Sequence, residues 1–141
     1  MFFNLKLSRE EKFIIKLFFL EEIVKEDEFK NLDLNKLIII SSSHLMLPAL
    51  YVNLKKKKYL KYFPKDFNKY ISKIYYINLK RNKILINELN EISDLLDKNN
   101  IKFFFLKGSY FALNQIYNDL GVRMIGDIDL IVNRENQNKI N

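Results

Sequence analysis

Through its first hundred residues the chain repeats apolar positions at helical spacing, and after Asn100 that rhythm stops. Ser8-Arg9-Glu10-Glu11 reads as a capping box, in which the Ser8 hydroxyl accepts from the Glu11 amide while the Glu11 carboxylate reaches back. The pattern then predicts a helix over 9–27 whose buried face carries Phe13, Leu17, Leu20 and Val24, with Ile14 and Phe18 beside them. Asp33 caps a short helix through Ile40, and Ser41-Ser42-Ser43 forms its end or a bend. Leu45 to Lys57 is a further helical pattern. Pro48 is tolerated there only in the first turn, where a missing amide proton is not needed, so the helix starts near Met46 or Leu47. Pro64 opens the longest element, residues 65–98, in which Phe67, Tyr70, Ile71, Ile74, Leu85, Leu89, Ile92 and Leu96 keep one stripe as far as Asn99-Asn100.

Beyond Asn100, Ile101-Lys102-Phe103-Phe104-Phe105-Leu106 is a short aromatic-rich run bounded by Gly108, the form of a buried strand. Ser109 to Asn118 predicts a helix that packs through Phe111, Leu113 and Ile116, with Gly121 where a terminator is expected. Asp127-Ile128-Asp129-Leu130-Ile131-Val132 is a second strand, and Glu135 to Ile140 starts another helix. The fold class is therefore α+β. A helical N-terminal region over 1–100 precedes, over 101–141, the first part of a mixed sheet with flanking helices, incomplete because two strands do not make a stable covered sheet.

Composition narrows the class. A content of 48% hydrophobic and 14% aromatic residues is enough for a packed core and excludes a disordered chain. No stretch reaches the roughly 18 uninterrupted apolar residues of a membrane span. The first residues lack the regions of a secretory signal, so a cytoplasmic location and no membrane partner are expected. With no cysteine and the single histidine His44, a bound metal must be held by oxygen. His44 itself has two readings, a general base or a packed or capping residue.

The net charge of +7 is concentrated: Lys55 to Lys83 holds eleven Lys or Arg against the single acid Asp66. Such a stripe can meet polyphosphate, RNA or an acidic protein surface, or it can be a solvated helix face in a lysine-rich chain. The seven aromatics from Tyr59 to Tyr76 divide the same way, between base-stacking platforms and core residues at helical spacing.

The chemistry concentrates after Lys107. On a strand, Asp127 and Asp129 point to one side while Ile128, Leu130 and Val132 point to the core. Two carboxylates on one spot repel unless a cation sits between them, and oxygen-only ligands suit Mg²⁺ or Mn²⁺; the other reading of an Asp-x-Asp is a pair of solvated surface acids. The strand-to-helix turn Lys107-Gly108-Ser109 offers backbone amides and a hydroxyl, groups that phosphate oxygens use. Lys107 has two readings, a phosphate contact or a solvated charge.

Leu106-Lys107-Gly108-Ser109, then Tyr117, Arg123 and Asp127-Ile128-Asp129-Leu130-Ile131-Val132, together resemble the uncharacterised nucleotidyltransferase family of the polymerase-beta-like superfamily. His44 with Pro48 and Ala49-Leu50-Tyr51 resembles that family's N-terminal helical segment. The resemblance implies Mg²⁺-dependent transfer of a nucleotidyl group from an NTP to a hydroxyl-bearing acceptor by two-metal displacement. It also implies that Gly108 and Ser109 hold the triphosphate, that Asp127 and Asp129 are the catalytic metal ligands, and that Arg123 steadies phosphate or carboxylates. The sequence departs from the pattern after Val132, where Glu135 is the only acid and the expected third carboxylate is missing. Either a fragment of a longer protein or a truncated form is expected. Two other readings compete: a catalytically inactive module that binds RNA or a protein partner through the basic helix 55–83, and a sugar-nucleotide glycosyltransferase using Asp-x-Asp. The second lacks a nucleotide-binding βαβ unit.

Overall fold

The computed structural model describes residues 6–20, 23–114 and 116–135. Two compact units divide the chain, Met1–Tyr76 and Ile77–Asn141.

The first unit is helical. Helix α1 (Arg9–Phe19) starts on the expected capping box, with the Ser8 amide donating to Glu11 Oε2 at 2.7 Å and the Glu11 amide donating to Ser8 Oγ at 3.3 Å. It stops earlier than the expected 9–27, because Leu20 is extended and a new helix α2 (Glu26–Lys30) begins after Lys25. The reason is electrostatic: a continuous helix would end on Glu26-Asp27-Glu28, acids that oppose the negative C-terminal pole, whereas as the first turn of α2 they face a positive one. Val24 remains buried outside any helix, and its amide donates to the Tyr59 hydroxyl at 3.2 Å. Helix α3 (Leu34–Ser43) is capped by Asp33 as expected and runs past Ile40, while α4 (Leu47–Lys56) carries Pro48 in its first turn.

With glycine scarce, helices end on other residues in the left-handed region. Leu45 (φ 56°) follows α3 and Lys58 (φ 60°) follows α4. Each lets the next amide reach back to a carbonyl left free at the helix end, Met46 to Ser41 at 2.7 Å and Tyr59 to Leu54 at 2.8 Å. The core of this unit gathers Phe13, Leu17, Phe29, Leu37, Leu50, Leu54, Phe63, Phe67 and Ile71. Phe29 stacks on Tyr62 at 4.6 Å and Phe63 on Phe67 at 4.9 Å, so these rings pack against each other instead of standing free for bases. Tyr70 and Tyr76 are exposed. His44 is exposed and follows α3, its backbone amide donating to the Ile40 and Ser42 carbonyls, a contact that does not involve the imidazole.

Helix α5 (Lys65–Lys98) matches the expected 65–98 and gives its later residues to the second unit. It ends as α3 and α4 do, with Asn100 at φ 54° and the Ile101 amide on the Leu96 carbonyl at 2.9 Å. Strand β1 (Phe103–Phe105), helix α6 (Lys107–Leu113) and strand β2 (Leu130–Val132) follow. The strands are shorter than expected and antiparallel, Phe103 opposite Val132 and Phe105 opposite Leu130. Leu85, Leu89, Phe105, Ala112 and Ile125 form the core here, with Ile128 and Leu130 packed on it. The α+β class stands, with an antiparallel pair as the sheet among the described residues. The helix expected from Glu135 onward lies outside them after its first residue. No helix among the described residues is long and apolar enough to cross a membrane.

Candidate metal and nucleotide site

All six sequence-predicted site residues lie in the second unit. The strand pair brings the first of them together: the Leu106 amide donates to the Asp129 carbonyl at 2.9 Å, one step beyond the Phe105–Leu130 pair. That fixes the start of α6 opposite the acidic segment. Ile128 and Leu130 turn to the core, and the Asp129 side chain, on the alternate face, receives the Lys107 ammonium at 2.9 Å. Hydrogen bonding to Asp129 first, and then the charges of Asp129 and Asp127, raise the Lys107 pKa above its ordinary value. The Lys107 ammonium and the Asp129 carboxylate therefore meet at the turn where α6 begins, with Asp127 near enough to add to the field there.

The backbone of Lys107 stands at φ 46°. At the ends of α3, α4 and α5 the left-handed residue frees a helix carbonyl for capping; at the start of α6 no such function exists. For a residue with a β-carbon that conformation costs roughly 1–2 kcal/mol. Its ion partner returns little of this, since the Lys107 side chain is 71% exposed and exposed pairs contribute about 0–1 kcal/mol. The exposed ion pair therefore offsets little of this strain.

Gly108 is buried inside the first turn of α6, where an added Cβ would stand 3.0 Å from Ile125 Cγ2. Its smallness serves a close approach of α6 to the segment preceding Asp127. Ser109 is fully enclosed, and its hydroxyl donates to the Asp127 carbonyl at 3.4 Å. Both residues hold the acidic segment in place.

Arg123 is engaged elsewhere. Its Nη1 donates to the Tyr117 hydroxyl at 3.0 Å, and its guanidinium lies over the rings of Phe111 and Tyr117 at 5.5 and 5.9 Å. These three residues, with Ile86 and Leu120, line a cavity of about 320 Å³. Asp127 lines a different, more open cavity of about 480 Å³ with Lys80, Arg81, Glu88 and Gly126.

Sequence reasoning missed what positions the segment between them. The Asn78 amide nitrogen donates to the carbonyls of Gly121 and Arg123 at 2.8 and 2.9 Å. That of Asn82 donates to Leu120 and Arg123, both at 2.7 Å, and Arg81 donates to the Gly126 carbonyl at 2.9 Å. Backbone with no secondary structure of its own is thereby satisfied from one face of α5. The signal was present: the apolar stripe of α5 passes from Ile74 to Leu85 over Asn78 and Asn82, two polar residues on a buried face.

Whether the donor set fits a divalent ion is decided by its chemistry. Two oxygen donors from neighbouring Asp side chains, already drawing an ammonium, suit Mg²⁺, which takes one or two protein carboxylates and completes its sphere with water and substrate phosphate. No cluster of three or more acidic, His or Cys side chains that could hold a metal occurs among the described residues.

Residues 30–141 match the model of the uncharacterised nucleotidyltransferase family, and the chain belongs to that family. Membership gives it a general nucleotidyltransferase role and implies an NTP as substrate. No curated protein and no solved structure gave a match.

Proposed function

We propose that the protein is a Mg²⁺-dependent nucleotidyltransferase, cytoplasmic, that moves a nucleotidyl group from an NTP to a hydroxyl-bearing acceptor. The observation that carries this reading is the pairing of Lys107 with Asp129, two residues from Asp127, at the head of α6. Asp127 and Asp129 would hold the divalent ion, Mg²⁺ or Mn²⁺. The chemistry such an ion supplies when bound is neutralisation of charge at the α-phosphate and on departing pyrophosphate. Lys107 contacts the triphosphate from the same turn, Gly108 and Ser109 shape the surface on which it rests, and Arg123 would reach phosphate only by leaving its contacts with Tyr117 and Phe111. The chain's contribution is alignment and charge at a centre where the acceptor oxygen bonds to the α-phosphorus as the bond to pyrophosphate breaks.

The test is transfer of label. Full-length protein from its own host, incubated with host extract and Mg²⁺, is given NTPs labelled at the α- or the γ-phosphate. Transfer of α-label alone to an acceptor, lost in Asp129→Asn, is the expected result. Transfer of γ-label would make it a phosphotransferase and contradict the proposal.

A further inference from the structure

We propose that Lys107 is a movable counter-ion: in the absence of nucleotide it occupies Asp129, and on binding it is exchanged for the divalent ion and passes to the triphosphate. The inference rests on the assignment of Asp127 and Asp129 as metal ligands and assigns how that site is kept before it is filled. Three observations support it. The ammonium lies 2.9 Å from Asp129 Oδ2, inside the space that a ligand of that carboxylate must use. The Lys107 side chain is exposed, so little packing opposes its departure. The backbone of Lys107 is held in the left-handed region at φ 46° at a helix start, where no carbonyl is capped by it, which leaves the placing of its side chain beside Asp129 as the function of that conformation.

The exchange keeps the local charge balanced at each stage. With nucleotide absent, the positive Lys107 offsets one of two neighbouring carboxylates; with metal and triphosphate present, the carboxylates face the metal and Lys107 faces phosphate oxygens. Neutralising the lysine separates a static ion pair from a movable one only when both ligands are measured. Removing the charge tightens metal binding whether the pair is static or movable, because a fixed ammonium also repels the cation; weaker tripolyphosphate binding in the same variant is what requires that the ammonium reach the phosphate.

The experiment measures two affinities in wild type and Lys107→Gln: Mn²⁺ alone, by electron paramagnetic resonance, and magnesium tripolyphosphate, the part every NTP shares, by calorimetry. The exchange predicts opposite signs, Mn²⁺ binding tighter by about threefold to tenfold and tripolyphosphate weaker by about tenfold. Lys107→Gly, which also releases the strained backbone, should show the same pair of shifts with a melting temperature no lower than wild type. Unchanged or weakened Mn²⁺ binding in both variants, or tripolyphosphate binding that neither variant weakens, with Asp129→Asn still abolishing Mn²⁺ binding, would overturn the exchange and leave the metal site standing. Wild-type Mn²⁺ affinity in Asp127→Asn and Asp129→Asn would instead remove the site assignment beneath it.

Discussion

Residues 1–76 bury rings and branched chains, Phe13, Phe29, Phe63, Phe67 and five leucines, whereas residues 77–141 bury a smaller apolar set together with the amides of Asn78 and Asn82 and the hydroxyl of Ser109. The buried acid of the first unit, Glu10, serves a joint between helices: it accepts from the Asp33 amide at 3.2 Å and pairs with Lys36 at 3.1 Å. The buried polar groups of the second unit hold irregular backbone, Leu120 to Arg123 and Asp127, in front of the carboxylates. One unit is organised to pack and the other to present a segment. Each unit carries buried side-chain oxygens without a protein partner, Ser41 Oγ and Asn68 Oδ1 in the first and Asn78 Oδ1 and Asn82 Oδ1 in the second.

Substitutions separate the two. Leu54→Ala, at a position with no exposure, should destabilise the first unit by about 2–5 kcal/mol in denaturant unfolding, and at temperatures where the chain stays folded should leave magnesium tripolyphosphate affinity as it was. A loss of affinity there would show that the packing unit also shapes the site. Asn82→Ala abandons the Leu120 carbonyl and leaves that of Arg123 to Asn78 alone; it should lower stability by about 1–3 kcal/mol, with weaker tripolyphosphate binding even well below the melting point. Equal affinity would mean that the 120–123 segment has no part in the site. Ser8→Ala, which removes one half of the α1 capping box, should cost about 1 kcal/mol and nothing else.

Acid should act on the first unit. Burial alone would raise the Glu10 pKa, but hydrogen bonds from its own and the Asp33 amide, with Lys36, bring it below its ordinary value. Glu28 is lowered first by the Lys16 ammonium and then by the Lys25 amide. Carboxylates whose folded pKa is depressed contribute stability that is complete above their unfolded value of 4.5 and is lost as pH falls through the folded one. Thermal melts below pH 4.5 should therefore fall in temperature, and Glu10→Gln should flatten that fall. An undiminished pH dependence in the variant would remove Glu10 from the account.

How much of this the sequence shows depends on the range of the interactions involved. The capping box at Ser8 and Glu11, the cap at Asp33, Pro48 in the first turn of α4 and the whole span of α5 were legible because each is decided within a turn or by one sustained stripe. The break after Phe19 was not, since the apolar positions through Val24 continue at helical spacing and only the acids of α2 argue against it. A division at Asn100 by type of secondary structure and a division at Tyr76 by packing answer different questions, because the later part of α5 is a helix that packs with the strands. At the site, the strand expected over 127–132 was only partly met, since β2 starts at Leu130 and Asp127 to Asp129 precede it, although Ile128 and Leu130 pack on the core. The left-handed backbone of Lys107, its pairing with Asp129 and the enclosure of Ser109 come from contacts across the turn, which no local pattern encodes.

The most direct measurement is calorimetric titration of Mg²⁺-ATP, and of each other Mg²⁺-NTP, into the full-length protein, its Asp127→Ala variant and its Asp129→Ala variant, with and without Mg²⁺. Metal-dependent binding of at least one nucleotide by the wild type, abolished in both variants while their melting temperatures hold, is the predicted result. Binding that the variants keep, or that needs no metal, would contradict the assignment of these two carboxylates.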